Sequence, residues 1–278
     1  MDPDAALIRL AVFGSPVKHS LSPRTHALFA QQAGLSVDYR AIETSEEFLS
    51  RDLQALADKG ARGCNITLPL KLKAYDLASL ATERAQLAGA ANTLVFESPS
   101  RWNADITDGV GLVRDLTVQH GMPLQGLKIA IIGAGGAAAG ILGDLLNEKP
   151  GVICILNRSE QRAKELAERF SGLGEVQHMA LADVAAAGEF DLVINATSLA
   201  HHSGRALQVR NLFAPGSLYY DLNYGQAHKG LANWAESNRI RCVDGLGMLV
   251  EQAAESFYLW TGFQANTDPV IEALRAGK

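Results

Sequence analysis

The chain has little that would staple, anchor or strongly charge it. Only three of its 278 residues are cysteines, Cys64, Cys154 and Cys242. An odd, widely separated set excludes a disulfide framework and a zinc site, and reads as buried, reduced thiols in a cytoplasmic protein. Long hydrophobic runs are missing as well: the longest uncharged apolar stretch, Ile129 to Gly143, is too short and too glycine-rich to span a membrane. Excess charge of either sign is absent. With 25 Lys+Arg against 30 Asp+Glu the net charge is −5, which offers no surface for nucleic acid. Met1-Asp2-Pro3-Asp4 is acidic and precedes only a short apolar stretch, so neither a signal nor a transit peptide is expected.

What remains is an ordinary globular composition, 47% hydrophobic and 20% charged, in a chain long enough for two cores. Up to about residue 110, short strands and helices alternate. Strands are expected at Leu10–Phe13, Val37–Ile42 and Gly63–Ile66, and helices from Pro23, Glu46 and Leu70, an α/β unit with a largely parallel sheet. A helix over Val110–His120 leads through Gly121-Met122-Pro123, read as the joint between domains. A second α/β unit follows, with strands at Lys128, Val152, Leu192 and Ser217–Asp221. Leu181–Gly188 reads as a short surface helix. Leu246, Leu249, Ala253, Phe257 and Trp260 have helical spacing, with Glu251 and Glu255 on another face, so this helix is expected to carry one apolar stripe.

The strongest motif is Ile129-Ala-Ile-Ile-Gly-Ala-Gly-Gly-Ala-Ala138, an apolar strand, a glycine-rich turn and a helix start. Gly133 permits the tight turn, Gly135 lets backbone N–H groups approach a pyrophosphate, and Ala138 lets the helix pack closely on the sheet. The anion would sit at the positive helix N-terminus. The next strand ends in Asn157-Arg158-Ser159, with Arg162 one turn on. An acidic residue there would bind a free ribose 2′-hydroxyl, whereas arginine accepts a 2′-phosphate, so the pair points to NADP. The plain alternative is two solvated arginines at a helix start.

Three strand-to-helix junctions in the first half can carry chemistry. In Gly14 to Pro23, Ser22 is a natural N-cap with Pro23 as the first helical residue, and Ser20 and Ser22 would present hydroxyls where N–H groups and the helix dipole favour a carboxylate. Simple capping by Ser22 is the alternative, and nothing near His19 resembles a catalytic triad. Asn65-Ile-Thr-Leu-Pro-Leu-Lys71 sets Lys71 in the first turn of a helix, where the macrodipole disfavours a cation. Asp108, in Asp105-Ile-Thr-Asp-Gly-Val-Gly111, is either a helix cap or the partner of a lysine, and such a carboxylate would counter the dipole.

Taken in order, these segments resemble the shikimate dehydrogenase family, from Leu10 to about Ala273. The family's serine loop matches Gly14–Pro23, its Asn-x-Thr-x-Pro-x-Lys loop Asn65–Lys71, its Ala-x-Asn-Thr turn Ala90–Thr93 and its Thr-Asp-Gly-x-Gly start Thr107–Gly111. Then follow the glycine loop, the Asn-Arg-Ser strand end, Asn195-Ala-Thr-Ser198, Asp221-x-x-Tyr224 and Asp244-Gly-Leu-Gly-Met-Leu-Val-x-Gln252.

The resemblance implies reversible NADPH-dependent reduction of 3-dehydroshikimate to shikimate, in aromatic amino acid biosynthesis. It implies a substrate domain of residues 1–112 with 245–278, the last helix returning to it, and a Rossmann-like NADP domain of residues 113–244. Lys71 and Asp108 would be the catalytic pair. Ser20 and Ser22 would hold the substrate carboxylate, and Thr67, Asn92, Asp108, Tyr224 and Gln252 the ring hydroxyls. Glu83, Gly133, Ala134, Gly135, Gly136, Ala137, Asn157, Arg158, Ser159, Arg162, Leu222 and Gly245 would line the cofactor, with Met248 near the nicotinamide. The expected partner is this small acid, with no nucleic acid, membrane or metal, in a monomer or homodimer. Three departures stand out: Ile106 where the family usually has Asn, the loop Ser198–Arg205 without the usual Gly-Met, and Gly225–Leu231 without the usual Thr-Pro. They keep open a quinate-directed paralogue and, from another class, a catalytically silent NADP-binding regulator.

Overall fold

The computed structural model describes residues 7–197 and 209–277. Met1–Asp4 and the Ser198–Arg205 departure lie outside the described residues. The chain divides into two compact units, residues 1–111 with 249–278 and residues 112–248.

Unit 1 is built on a six-stranded sheet of order β2-β1-β3-β5-β6-β4. The strands are β1 (Ile8–Gly14), β2 (Val37–Glu43), β3 (Gly63–Ile66), β4 (Leu80–Ala81), β5 (Thr93–Ser98) and β6 (Arg101–Asp105). β1 runs parallel to β2 and β3, and β4 parallel to β6, whereas β5 is antiparallel to both β3 and β6. The helices are α1 (Ser22–Ala33), α2 (Leu49–Ala57), α3 (Lys71–Leu77) and α4 (Glu83–Ala88). Gly34, at φ 64°, closes α1 in the left-handed conformation that glycine adopts without strain. Phe13, Ile66 and Leu94 from the sheet meet Leu49, Leu53 and Leu70 in one buried core.

Unit 2 holds a second six-stranded sheet, of order β12-β11-β10-β7-β8-β9, parallel throughout. Its strands are β7 (Lys128–Ile132), β8 (Val152–Asn157), β9 (Val176–Ala180), β10 (Phe190–Asn195), β11 (Phe213–Asp221) and β12 (Arg241–Asp244). Strand order reverses between β7 and β10, the doubly wound arrangement in which ligands bind beyond the carboxyl ends of the strands. The near-continuous apolar run of β7 fits a strand covered on both faces. The associated helices are α6 (Gly136–Asn147), α7 (Glu160–Phe170) and α8 (Lys229–Ser237).

Helix α5 (Asp108–Arg114), continued by a π-helical turn at Asp115–Gln119, and α9 (Leu246–Thr261) each contain a unit boundary; α10 (Asp268–Arg275) ends the chain. The expected joint at Gly121–Pro123 is therefore inside unit 2. The chain crosses within continuous helix, between Gly111 and Leu112. The second half of α9 packs on unit 1: Trp260 Nε1 donates to Leu94 O at 3.0 Å, and a Cβ on Gly63 would collide with both partners.

Three local readings change, while the surface helix expected at Leu181 is present. Helix α2 starts at Leu49 rather than Glu46, because Ser45 O accepts the N–H groups of Phe48 and Leu49 in a preceding turn. Leu181–Ala186 is 3₁₀ helix with no buried residue. The thiols are free, but Cys242 is only half-buried, on the end strand β12. Helix α9 does not carry a single stripe either: Glu251 is buried and accepts from Thr267 Oγ1 at 2.7 Å, so its carboxylate is satisfied inside.

Candidate active site

In unit 1 two loops lie side by side at the carboxyl ends of β1 and β3. Thr67 N donates to Phe13 O at 2.8 Å and Ser15 N to Leu68 O at 2.9 Å. Gly14 makes this approach possible, because a Cβ there would collide with the Thr67 methyl. The serine loop and the Asn65–Lys71 loop are thus held as neighbours, with Thr67 half-buried between them.

The expected N-cap at Ser22 is corrected by one residue. Leu21 occupies the cap position without a side-chain bond, and Ser22 is already helical. Ser20 does the capping: its Oγ accepts the N–H of Ser22 at 3.2 Å. The Ser22 side chain is buried, 5% exposed. Ser20 Oγ is therefore engaged, and both hydroxyls stay at the helix start.

Lys71 opens α3 and Asp108 opens α5, from sequence positions 37 apart. Lys71 Nζ donates to Asp108 Oδ2, and the two side chains are 11% and 7% exposed. Asn92, in the turn before β5, is 2% exposed, and its Nδ2 donates to Asp108 Oδ1 at 3.0 Å and Gln252 Oε1 at 3.0 Å. Gln252 reaches this point from α9 and is fixed by its own Nε2, which donates to Leu249 O at 2.8 Å. The structure therefore joins Lys71, Asp108, Asn92 and Gln252 in one hydrogen-bonded cluster. Ile106 takes no polar part; it is buried, while its N–H donates to Asp105 Oδ1 at 2.8 Å.

Residues beneath this cluster complete it and were not singled out by the sequence reading. Thr107 Oγ1 donates to Gln252 O at 3.1 Å, and its N–H donates to Asn92 Oδ1 at 2.9 Å. Thr93 Oγ1 and Ser256 Oγ are 2.8 Å apart, and Asn65 Nδ2 donates to Ser256 Oγ at 3.0 Å. Asn65 Oδ1 in turn accepts from Tyr39 OH at 2.7 Å and faces His26 Nε2 at 3.3 Å. His26 Nδ1 is buried without a hydrogen-bond partner, whereas the amide and hydroxyl groups named here are all paired, and a buried network satisfied in this way rigidifies what it carries. The signal for Ser256 was present: it lies one helical turn beyond Gln252 on the same face of α9.

Two titrating groups are shifted next to this network. His26 is wholly buried and stacked on Tyr39 with ring centroids 4.2 Å apart. Burial lowers its pKa from 6.5 to about 3, against the opposing hydrogen bond to Asn65 Oδ1. Asp105 is pushed up by burial, but the Arg84 guanidinium, Thr82 and the Ile106 N–H together outweigh it and hold its carboxyl below the usual range. Arg84 is bidentate on Asp105, at 2.6 and 2.8 Å.

Unit 2 carries the other candidates. Gly133, at φ 114°, ends β7 where a Cβ would stand 3.0 Å from Ala196 O, so the turn requires glycine. Ala134 follows in the same turn, and Gly135 is the N-cap of α6 with open space over its Cβ position. Gly136 and Ala137 form the first turn of this 12-residue helix, which no side chain caps. Its N–H groups and open approach fit a pyrophosphate. At the end of β8, Asn157 Nδ2 donates to Ser159 O at 2.9 Å and Ser159 caps α7 through the N–H of Arg162. Asn157, Arg158, Ser159 and Arg162 line a surface recess of about 350 Å³, and both arginines are exposed. This pair fits a phosphorylated ribose.

Leu222 and Gly245 are neighbours, since Gly245 N donates to Asn223 O at 3.0 Å and a Cβ on Gly245 would collide with Leu222 O. Tyr224 is half-buried at the start of the 3₁₀ turn Gly225–Ala227, and Met248 is buried in the first turn of α9. Glu83 belongs to unit 1, exposed in the first turn of α4. Among the described residues there is no cluster of His, Cys, Asp and Glu suited to a metal ion, and no helix long and apolar enough to cross a membrane.

Comparison with known proteins follows the same division. Residues 12–94 match the shikimate dehydrogenase substrate binding domain, residues 115–222 the shikimate / quinate 5-dehydrogenase family, and residues 245–275 the shikimate 5′-dehydrogenase C-terminal domain. The chain is 45% identical over 275 residues to shikimate dehydrogenase (NADP(+)) of Acidovorax sp. (strain JS42), covering 98% of this chain and 97% of that one. With the enzyme of the same name from Xanthomonas oryzae pv. oryzae (strain MAFF 311018) it shares 46% over 271 residues, 96% and 95% of the two chains. A solved structure of shikimate 5-dehydrogenase from Thermus thermophilus, in complex with NADP(H) and shikimate, superposes with a TM-score of 0.85 at 31% identity, covering 98% of this chain and 100% of that one.

Proposed function

The chain belongs to the shikimate dehydrogenase family, and we propose that it catalyses the reversible, NADPH-dependent reduction of 3-dehydroshikimate to shikimate. The observation that carries this reading is the buried Lys71–Asp108 ion pair, locked by Asn92 beside Gln252. A lysine held this way at a helix start is a positioned proton donor.

Hydride transfer to the carbonyl carbon is the chemistry that the nicotinamide supplies when bound. In this reading Lys71 Nζ gives a proton to the carbonyl oxygen as it gains charge, and takes the proton back in the oxidative direction. Asp108 orients Lys71 through Oδ2 and accepts from a ring hydroxyl. Asn92, Gln252, Thr67 and Tyr224 bind the remaining hydroxyls, and Ser20 and Ser22 hold the carboxylate at the N-terminus of α1, where the dipole favours an anion. Met248 lines the nicotinamide nucleotide with the other cofactor residues of unit 2, and Glu83 is a cofactor contact contributed by unit 1's own sequence. Arg158 and Arg162 neutralise the 2′-phosphate and so select NADP over NAD. The free Cys64, Cys154 and Cys242 support a reducing compartment, the cytoplasm.

The family match over residues 115–222 names quinate beside shikimate. Steady-state kcat/KM for the two acids, each with NADP+ and NAD+, tests the assignment; shikimate with NADP+ is expected to be highest. A preference for quinate would replace the substrate, and an absence of turnover with either would favour the silent regulator.

A further inference from the structure

We propose that His228 is a positioning residue, clamping the turn Leu222–Tyr224 through the carboxylate of Asp221. The proposal rests on the reading above in taking Leu222 and Tyr224 as ligand contacts. Asp221 ends β11 and is 1% exposed. Its Oδ1 accepts from Asn195 Nδ2 at 2.9 Å, from the Asn223 N–H at 3.1 Å and from Asn223 Nδ2 at 2.8 Å. Its Oδ2 faces His228 Nδ1 at 3.0 Å. A carboxylate can only accept, so Nδ1 carries the proton of this bond.

One buried carboxylate thereby ties three segments together. Asn195, held by Asp221, uses its own Oδ1 to accept the Thr197 N–H at 3.2 Å and Thr197 Oγ1 at 2.8 Å, fixing the chain beyond β10. Asn223 Nδ2 also reaches Thr197 O at 3.2 Å, which joins the ends of β10 and β11. His228 stands at the N-cap position of α8, just after the 3₁₀ turn Gly225–Ala227. Its bond to Asp221, seven residues back, closes the loop that contains Leu222 and Tyr224. Closing a loop before a ligand arrives removes part of the ordering cost of binding. This is also the segment, Gly225–Leu231, in which the usual Thr-Pro is missing, and here a histidine provides the anchor.

The test compares His228→Ala and His228→Asn with the wild type by steady-state kinetics and by hydrogen exchange of the ligand-free protein. In the alanine variant kcat stays within about twofold while KM for shikimate rises about tenfold, the value of one hydrogen bond to a charged group. Exchange accelerates in peptides covering 195–197 and 222–228 and not elsewhere. Asparagine, whose Nδ2 can occupy the place of imidazole Nδ1, restores both readouts. An alanine variant with wild-type KM and wild-type protection at Asn223 overturns the proposal, as does loss of protection across the whole chain or failure of asparagine to restore it. Should the wild type not oxidise shikimate at all, the functional reading fails, and the exchange pattern alone decides the clamp.

Discussion

Asn92 holds Asp108 in place: its Nδ2 donates to Asp108 Oδ1 at 3.0 Å, leaving Oδ2 to Lys71. Both oxygens of the proposed catalytic carboxylate are therefore engaged without help from residue 106. The departure at Ile106 leaves the orientation of Asp108 intact, because the amide comes from the turn before β5.

A direct consequence concerns Ile106→Asn, which places the family's usual residue at a position whose side chain is now apolar and 1% exposed. An unpartnered amide there costs about 1–3 kcal/mol of stability. Thermal denaturation should shift downward while kcat/KM per folded molecule stays within about threefold, within the range of a single lost polar contact. A tenfold gain in kcat would show that Asp108 lacks an orienting group in the wild type.

Lys71→Ala removes the proton donor and leaves unit 2 untouched. Loss of a positioned acid–base group lowers kcat by about 10²- to 10⁴-fold. NADPH affinity, measured by fluorescence titration, should be unchanged. Turnover near the wild-type rate would remove Lys71 from the role.

Arg158→Ala deletes an exposed cation from the recess at the end of β8. Affinity for NADP+ should fall about ten- to hundredfold, the range for hydrogen bonds to a charged phosphate, while that for NAD+ is nearly constant. Equal effects on the two cofactors would return Arg158 to the solvated surface.

His26 gives the protein an acid-sensitive fold. Its folded pKa of about 3 lies below the ordinary 6.5, so as pH falls below 6.5 the unfolded chain takes up a proton that the folded chain refuses. Stability attributable to His26 is thus complete above pH 6.5 and is lost toward pH 3, at up to about 1.4 kcal/mol per pH unit. Urea denaturation between pH 6 and 4 should show a flatter dependence for His26→Leu than for the wild type, whatever the variant's baseline. Identical slopes would mean that His26 is protonated in the folded state.

Much of this architecture was legible because the signals were local. The apolar run of β7 ending at Gly133, the β8 run ending at Asn157 and the Asp191–Asn195 run each announce a buried parallel strand through composition alone. The missing elements have weaker patterns. β9 and β12 are short strands with no fully buried residue, and the β5–β6 hairpin turns at Pro99 without an Asn-Gly signal. The joint expected at Gly121–Pro123 lies inside unit 2, because the chain passes between the units within helix α5, where no break in the helical pattern marks the place. In the site, Lys71 and Asp108 could be placed at helix starts from their own segments. Periodicity could not pair Asn92 with Gln252, 160 residues away, or show that Asn65 anchors Tyr39 and Ser256. Those contacts depend on how β3, β5 and α9 converge in three dimensions.

Lys71 and Asp108 are proposed to serve an NADP-dependent oxidation of shikimate. The most direct measurement is the rate of NADPH formation from shikimate and NADP+, followed by absorbance, for the wild type and Lys71→Ala side by side. Steady turnover is expected in the wild type, slower with NAD+ or quinate, with near-complete loss in the variant. No turnover in the wild type, or equal turnover in both proteins, would contradict it.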